Sequence, residues 1–254
     1  MGEPKSKTLR LDELDVYVET YGEGEPLLLL HGFTGSGQDW AYAGRDRFAQ
    51  QFELIIPDAR GHGRSTNPSR KLTHRQSAHD TLAVLDALGI ETCKAIGVSF
   101  GGNVLLHLAT LAPSRIESMV IVSATPYFPD QARQLMGAVS PESQPAESWH
   151  RMRERHELGD EQIRALFEQQ YAFKDSYDDM DFTPATLSKI STPTLIVQGD
   201  RDPLYPLELS VEMYRALPRA ALCVVPSAGH GPIFANHAEA FVDHALQFLS
   251  ASSL

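Results

Sequence analysis

The segment Gly97-Val98-Ser99-Phe100-Gly101-Gly102 places a serine at the centre of a G-x-S-x-G pattern. An apolar stretch, Ala95-Ile96-Gly97-Val98, leads into it, and an apolar helical pattern, Asn103 to Leu108, leads out. That strand–turn–helix context is what a nucleophilic serine needs. Its side chain must project from a sheet edge, and a turn tight enough to achieve this strains the serine backbone. The turn also crowds the residues two before and two after the serine, which favours glycine there. The helix start then faces the reacting centre, and its free N–H groups favour developing negative charge. Ser99 is the candidate nucleophile.

Such a serine needs a base, and the base needs a carboxylate to orient it. On this kind of scaffold they follow in the order serine, acid, histidine. The apolar run Thr194 to Val197, continued by Gln198-Gly199, leads into Asp200-Arg201-Asp202-Pro203. Two aspartates compete. Asp202 lies deeper in the loop, and Pro203 holds it extended. Asp200 is the alternative, as a strand-end carboxylate. The preceding strand end, Ser123-Ala124-Thr125-Pro126, has no carboxylate until Asp130. For the base, Leu222 to Val225 runs into Pro226-Ser227-Ala228-Gly229-His230-Gly231-Pro232. His230 is the only histidine between the acid loop and the final helical pattern. His237 and His244 fall inside that pattern and would project from the helix side.

The third requirement is a pair of donors for the oxyanion. Leu27 to Leu30 ends in His31-Gly32-Phe33-Thr34-Gly35, a turn that offers the Phe33 N–H. The Phe100 N–H, directly after the nucleophile, is the expected second donor. Each such donor is worth on the order of 3 kcal/mol. His31 is expected to brace the loop rather than to do chemistry. His62 and Asp58, in and before Arg60-Gly61-His62-Gly63-Arg64-Ser65, read as structural.

These loops need a rigid frame. Val16 to Thr20, Pro26 to Leu30, Phe52 to Ile56, Cys93 to Val98, Ser118 to Val122, Thr194 to Val197 and Ala221 to Val225 read as strands. Continuous apolar strands are buried on both faces, as in a parallel sheet covered by helices. Helical spacing marks Arg75 to Leu88, Phe100 to Leu111, Leu207 to Leu217 and Phe234 to Phe248. The alternation predicts an α/β fold with a mostly parallel sheet. From Tyr127 to Ser188 the rhythm breaks into short helical stretches, among them Ala146 to Leu158 and Asp160 to Ala172. Residues 127–188 are expected to form a small helical cap, with residues 1–126 and 189–254 as the core. Candidate substrate contacts are Phe33, Thr34, Tyr127, Phe128, Trp149, Phe167 and Leu204. The segment's arginines alternate with glutamates and are expected on its solvated face. The acidic run Asp178-Asp179-Met180-Asp181 lacks the glycine and spaced carboxylates of a calcium loop and reads as a solvated turn.

The bulk numbers agree with one globular unit. The chain has 254 residues, 42% hydrophobic and 22% charged, with a formal net charge of -11. That charge repels polyanions, so nucleic acid is not an expected partner. Cys93 and Cys223 are expected as small buried strand residues, with no zinc site and no required disulfide. Met1 to Arg10 is polar and lacks the apolar core of a signal peptide. The apolar runs are too short to span a membrane. A cytoplasmic protein is expected, with no metal or organic cofactor. The sequence sets no oligomeric state.

Over essentially its full length the chain resembles the α/β-hydrolase superfamily. The resemblance rests on His31-Gly32-Phe33, Pro57 to Ser65, Gly97 to Gly102, Gly199 to Pro203 and Gly229-His230, in that order. It implies an eight-stranded, mostly parallel sheet with a helical cap after the sixth strand. It also favours Asp202 over Asp200, because the family's acid commonly lies three residues past the strand-end glycine. Within the family the chain looks like the small-cap branch of esterases, lactonases, C–C bond hydrolases, perhydrolases and hydroxynitrile lyases. Ser99 stands where dehalogenases and epoxide hydrolases carry aspartate. C–C hydrolases carry a tryptophan soon after the catalytic histidine, whereas here Gly231-Pro232-Ile233-Phe234 follows. The expected activity is cleavage of small to medium neutral esters through an acyl-enzyme on Ser99. The alternatives are a C–C or lactone hydrolase acting on a carboxylated metabolite, and a non-catalytic ligand-binding protein.

Overall fold

Leu28 and Leu30 pack into the core on one side of a sheet, and Leu27 and Leu29 into the core on the other. Successive side chains of a strand point to opposite faces, so a strand that is leucine at every position must be covered on both. The same alternation recurs in the neighbouring strands: Ala95 and Ile121 face one core, Ile96 and Val120 the other. Burying one such side chain contributes roughly 2 kcal/mol.

In this computed structural model residues 5–251 are described. Met1 to Pro4, part of the polar stretch read as lacking a signal peptide, and residues 252–254 lie outside the described residues. The strands are β1 (Lys5–Leu11), β2 (Leu14–Tyr21), β3 (Glu25–Leu30), β4 (Phe52–Pro57), β5 (Cys93–Val98), β6 (Ile116–Val122), β7 (Thr194–Gly199) and β8 (Ala220–Val225). They form one eight-stranded sheet in the order β1-β2-β4-β3-β5-β6-β7-β8. The β1–β2 and β2–β4 pairs are antiparallel, and every pair from β4 to β8 is parallel.

The helices are α1 (Arg45–Phe48), α2 (His74–Ala87), α3 (Phe100–Leu111), α4 (Asp130–Gly137), α5 (Ala146–Arg155), α6 (Asp160–Ala172), α7 (Pro184–Leu187), α8 (Leu207–Ala216) and α9 (Ala238–Ser250). α2, α3 and α8 cover the Leu28 face, and α1 and α9 the Leu27 face. α4 to α7 all fall between β6 and β7. There Met152, Ile163, Leu166 and Phe167 make a small core of their own.

Four expectations change. β1 carries no strand signal because it is an edge strand whose first four residues are all exposed. The last helix begins at Ala238 rather than Phe234, and His237 ends a short 3-10 turn before it. Cys93 is buried but Cys223 only half-buried, since β8 is the other edge of the sheet. The run from Asp178 to Asp181 is not simply a solvated turn, because Asp179 and Met180 are buried.

Candidate active site

Ser99 adopts φ 51°, ψ −109° between the end of β5 and the start of α3. A β-carbon on Gly97 would collide with the Gly101 carbonyl, so the crossing of strand and helix demands glycine there. The Ser99 N–H donates to the Val122 carbonyl at 2.7 Å, which ties the turn to β6. The Phe100 N–H opens α3, where a helix amide has no acceptor one turn earlier.

The loops after β7 and β8 converge on this turn. Gly199 brings them together: a β-carbon there would meet the Ala228 and Gly229 carbonyls. The Ser99 hydroxyl lies 2.8 Å from His230 Nε2, and His230 Nδ1 lies 2.7 Å from Asp202 Oδ2. With the ring neutral, Nδ1–H donates to the carboxylate and Nε2 accepts from the hydroxyl. Asp200 is exposed, whereas Asp202 is 7% exposed. Asp202 Oδ1 accepts the backbone N–H groups of Leu204 at 2.8 Å and Tyr205 at 3.0 Å. Burial alone would raise the Asp202 pKa, but the hydrogen bonds from His230 and these amides favour the ionised form and hold it below the usual value.

The turn after β3 is braced by side chains that the sequence marked as structural. His31 Nδ1–H donates to the Gly32 carbonyl at 2.8 Å, and Nε2 accepts the Ala59 N–H at 3.0 Å. Asp58 accepts the N–H groups of Gly37 and Arg64 and the Arg64 guanidinium. His62 is fully buried, with its ring 5.0 Å from that of Phe33. Burial drives its pKa well below the ordinary value. His156, at the end of α5, accepts the Gly63 N–H on Nδ1 and donates from Nε2 to the Thr34 carbonyl.

Aromatic rings continue the site. Phe33 packs on Phe100 and on Phe173, Phe173 on Phe128, Phe128 on Tyr205, and Tyr205 edge-on to His230. With Ser99 bonded to His230 and adjacent to Phe100, these contacts form a closed circuit. The other expected substrate contacts lie elsewhere. Phe167 and Trp149 pack together in the α5–α6 core, against which Phe33 leans. Tyr127 is exposed, with its hydroxyl on Glu212. Thr34 bonds the Phe33 carbonyl, and Leu204 is half-buried beside the acid. The arginines of this region are engaged: Arg151 with Glu147, Arg153 with Asp160, Arg155 with Asp39, Arg164 with Glu142. Arg133 donates to the carbonyls of Phe128, Lys174 and Ser176.

Sequence reasoning passed over several of these groups. Ser123, at the end of β6, accepts the N–H of Gly231, the residue after His230. Gln198 donates to Asp202 from inside β7. A polar residue in an otherwise apolar buried strand was a usable signal for Gln198. Phe173 and Tyr205 carried no comparable mark.

The fold and these converging loops are those of a hydrolase with a serine at a strand–helix elbow. The sequence profile of the alpha/beta hydrolase family matches residues 27–244, and the chain belongs to that family. It is 28% identical to a 2-hydroxymuconate semialdehyde hydrolase of Pseudomonas putida, over 90% of this chain and 88% of that protein. It is 26% identical to Lipase 3 of a Moraxella species, over 95% and 85% of the two chains. A solved hydrolase from Pseudomonas aeruginosa superposes with a TM-score of 0.78 at 23% identity, covering 97% and 98% of the chains. Among the described residues no helix is long and apolar enough to cross a membrane.

Proposed function

We propose that this hydrolase cleaves carboxylic esters through an acyl-enzyme on Ser99. The observation that carries the reading is the unbroken hydrogen-bond chain from Ser99 through His230 to Asp202. Ser99 Oγ attacks the ester carbonyl as its proton passes to His230 Nε2. The oxyanion lies between the N–H groups of Phe33 and Phe100. Collapse breaks the C–O bond, and the departing alcohol takes the proton from His230. Water then attacks the acyl carbon with His230 again as base, the acid product leaves, and Ser99 regains its proton. Asp202 stays ionised, holding the ring and stabilising the imidazolium. These steps use no cofactor.

The substrate is a small to medium neutral ester. Phe173 packs on Phe33 and Phe128, Phe128 on Tyr205 and Tyr205 on His230, with Phe128, Phe173 and Tyr205 nearly fully buried, and an apolar wall cannot compensate a buried carboxylate. The arginines that could pair with one already have partners. Residues 127–188 act as the cap over the site. Phe33 and Phe128 stand on the substrate side, with Thr34 and Leu204 at its edge and Phe167, Tyr127 and Trp149 further out. A second reading, C–C bond cleavage, draws support from the similarity to 2-hydroxymuconate semialdehyde hydrolase.

A fluorophosphonate probe and a series of aryl esters test the reading. The probe should label the wild type once, at Ser99, and both labelling and ester turnover should vanish in Ser99→Ala. Labelling that survives the substitution overturns the assignment. A higher kcat/KM for an ω-carboxylated ester than for its neutral counterpart would shift the substrate class to the second reading.

A further inference from the structure

We infer that Gln198 is a positioning residue for the acid of this site; the inference rests on the reading of Ser99, His230 and Asp202 as the catalytic chain. Gln198 is the penultimate residue of β7 and has no exposed surface. Its Nε2 lies 2.9 Å from Asp202 Oδ2 and 2.8 Å from the Tyr205 carbonyl. Both neighbours are acceptors, so the amide must point its nitrogen at them. The opposite orientation would set two oxygens against each other.

That orientation leaves Gln198 Oε1 without a hydrogen-bond partner among the described residues. An orphaned buried carbonyl is costly, and an apolar side chain of the same size would avoid it. What the amide does in return is specific. Asp202 Oδ2 is the oxygen that takes the His230 Nδ1–H, so Gln198 and His230 donate to the same atom. Oδ1 is held by two backbone amides. All four bonds together fix the carboxylate plane, and the Gln198 bond is the one that holds Oδ2 itself without being part of the chain.

The bond also sets how much negative charge Oδ2 presents to His230. A donor on Oδ2 draws off part of that charge. The titratable groups in contact with this pair are Tyr205, whose ring meets His230 edge-on, and the two partners themselves. Burial pushes the Tyr205 hydroxyl pKa up, so it stays neutral through the working range.

The test is Gln198→Met, which keeps the length and removes the donor. With an aryl ester, kcat should fall about tenfold with KM little changed. A folded variant with wild-type kcat, or one whose loss lies in KM rather than in kcat, overturns the inference. A wild-type measurement guards against a variant that does not fold. In a pH titration followed by NMR, the Gln198 side-chain amide protons should move with the midpoint of the His230 ring signals. Amide signals that stay still while His230 titrates overturn it as well. A wild type that hydrolyses no ester would sink the catalytic reading instead, and the NMR titration would still decide the coupling.

Discussion

The ring of Phe173 stands edge-on to the ring of Phe33, with centroids 5.1 Å apart and planes at 68°. Phe33 belongs to the turn after β3, and Phe173 to the 3-10 turn that follows α6. The contact joins the inserted helices to the proposed oxyanion loop. Phe173 also meets Phe128 and the His74 ring, and is 4% exposed.

Phe173 is therefore expected to limit the length of the acyl group. Phe173→Ala should move the optimum of an acetyl-to-octanoyl aryl ester series toward longer chains. The accompanying loss of stability should be roughly 3 kcal/mol. An unchanged chain-length profile in a folded variant would show that the acyl group lies elsewhere.

The two aspartates of the β7 loop should differ sharply. Asp202→Asn removes the ionised partner of His230 and should lower kcat by about 10⁴. Asp200 is exposed, and Asp200→Asn should stay within roughly threefold of wild type. Steady-state kinetics on both folded variants checks this, and the reverse ranking would make Asp200 the acid.

Mild acid should weaken the fold. Burial lowers the pKa of His107 to about 4 and that of His156 to about 4, from 6.5. Both are neutral in the native state while the unfolded chain takes up protons below pH 6.5. Their contribution is complete above that pH and is lost as pH falls toward 4, on the order of 3 kcal/mol each. Urea midpoints between pH 7 and 4.5 measure the slope. His156→Asn, whose Oδ1 can accept the Gly63 N–H without titrating, should flatten it. Equal slopes in the two proteins would remove His156 from the account.

Asp179 should act as a structural latch. Its carboxylate accepts the N–H groups of His74 and Arg75 at the start of α2 and lies 2.6 Å from His74 Nδ1. Its own carbonyl accepts from His107 on α3. Burial works against the charge, but His74 and the amides outweigh it and hold the pKa at about 2 rather than 3.8. Its contribution is thus present above pH 3.8 and lost as pH falls toward 2, below the histidine window. Asp179→Ala should cost about 3 kcal/mol or more, because it leaves a buried ring and two helix amides unpaired. A change in urea midpoint worth less than about 1 kcal/mol would mean that water replaces the carboxylate.

Local chemistry made much of this protein readable in one dimension. The strand–turn–helix signature around Ser99, the all-leucine run of β3 and the proline-stopped helices are short-range consequences of sterics and of burial on both faces. Several are reproduced to the residue, as in α3 (Phe100–Leu111). The weak signals were those of the sheet edges. β1 turns only Leu9 and Leu11 inward, so it shows little apolar alternation, and β8 is half-exposed. What the sequence could not decide was which distant groups share one atom. Asp200 and Asp202 differ by two positions in the chain, and only the meeting of the β7 and β8 loops turns one to His230 and the other to solvent. Ser123 on Gly231 and Asp179 on α2 are likewise pairings between elements far apart in the chain. An aspartate in an acidic run looks solvated until the fold brings a helix start to it, because desolvation and hydrogen bonding are properties of the packed chain rather than of the residue type.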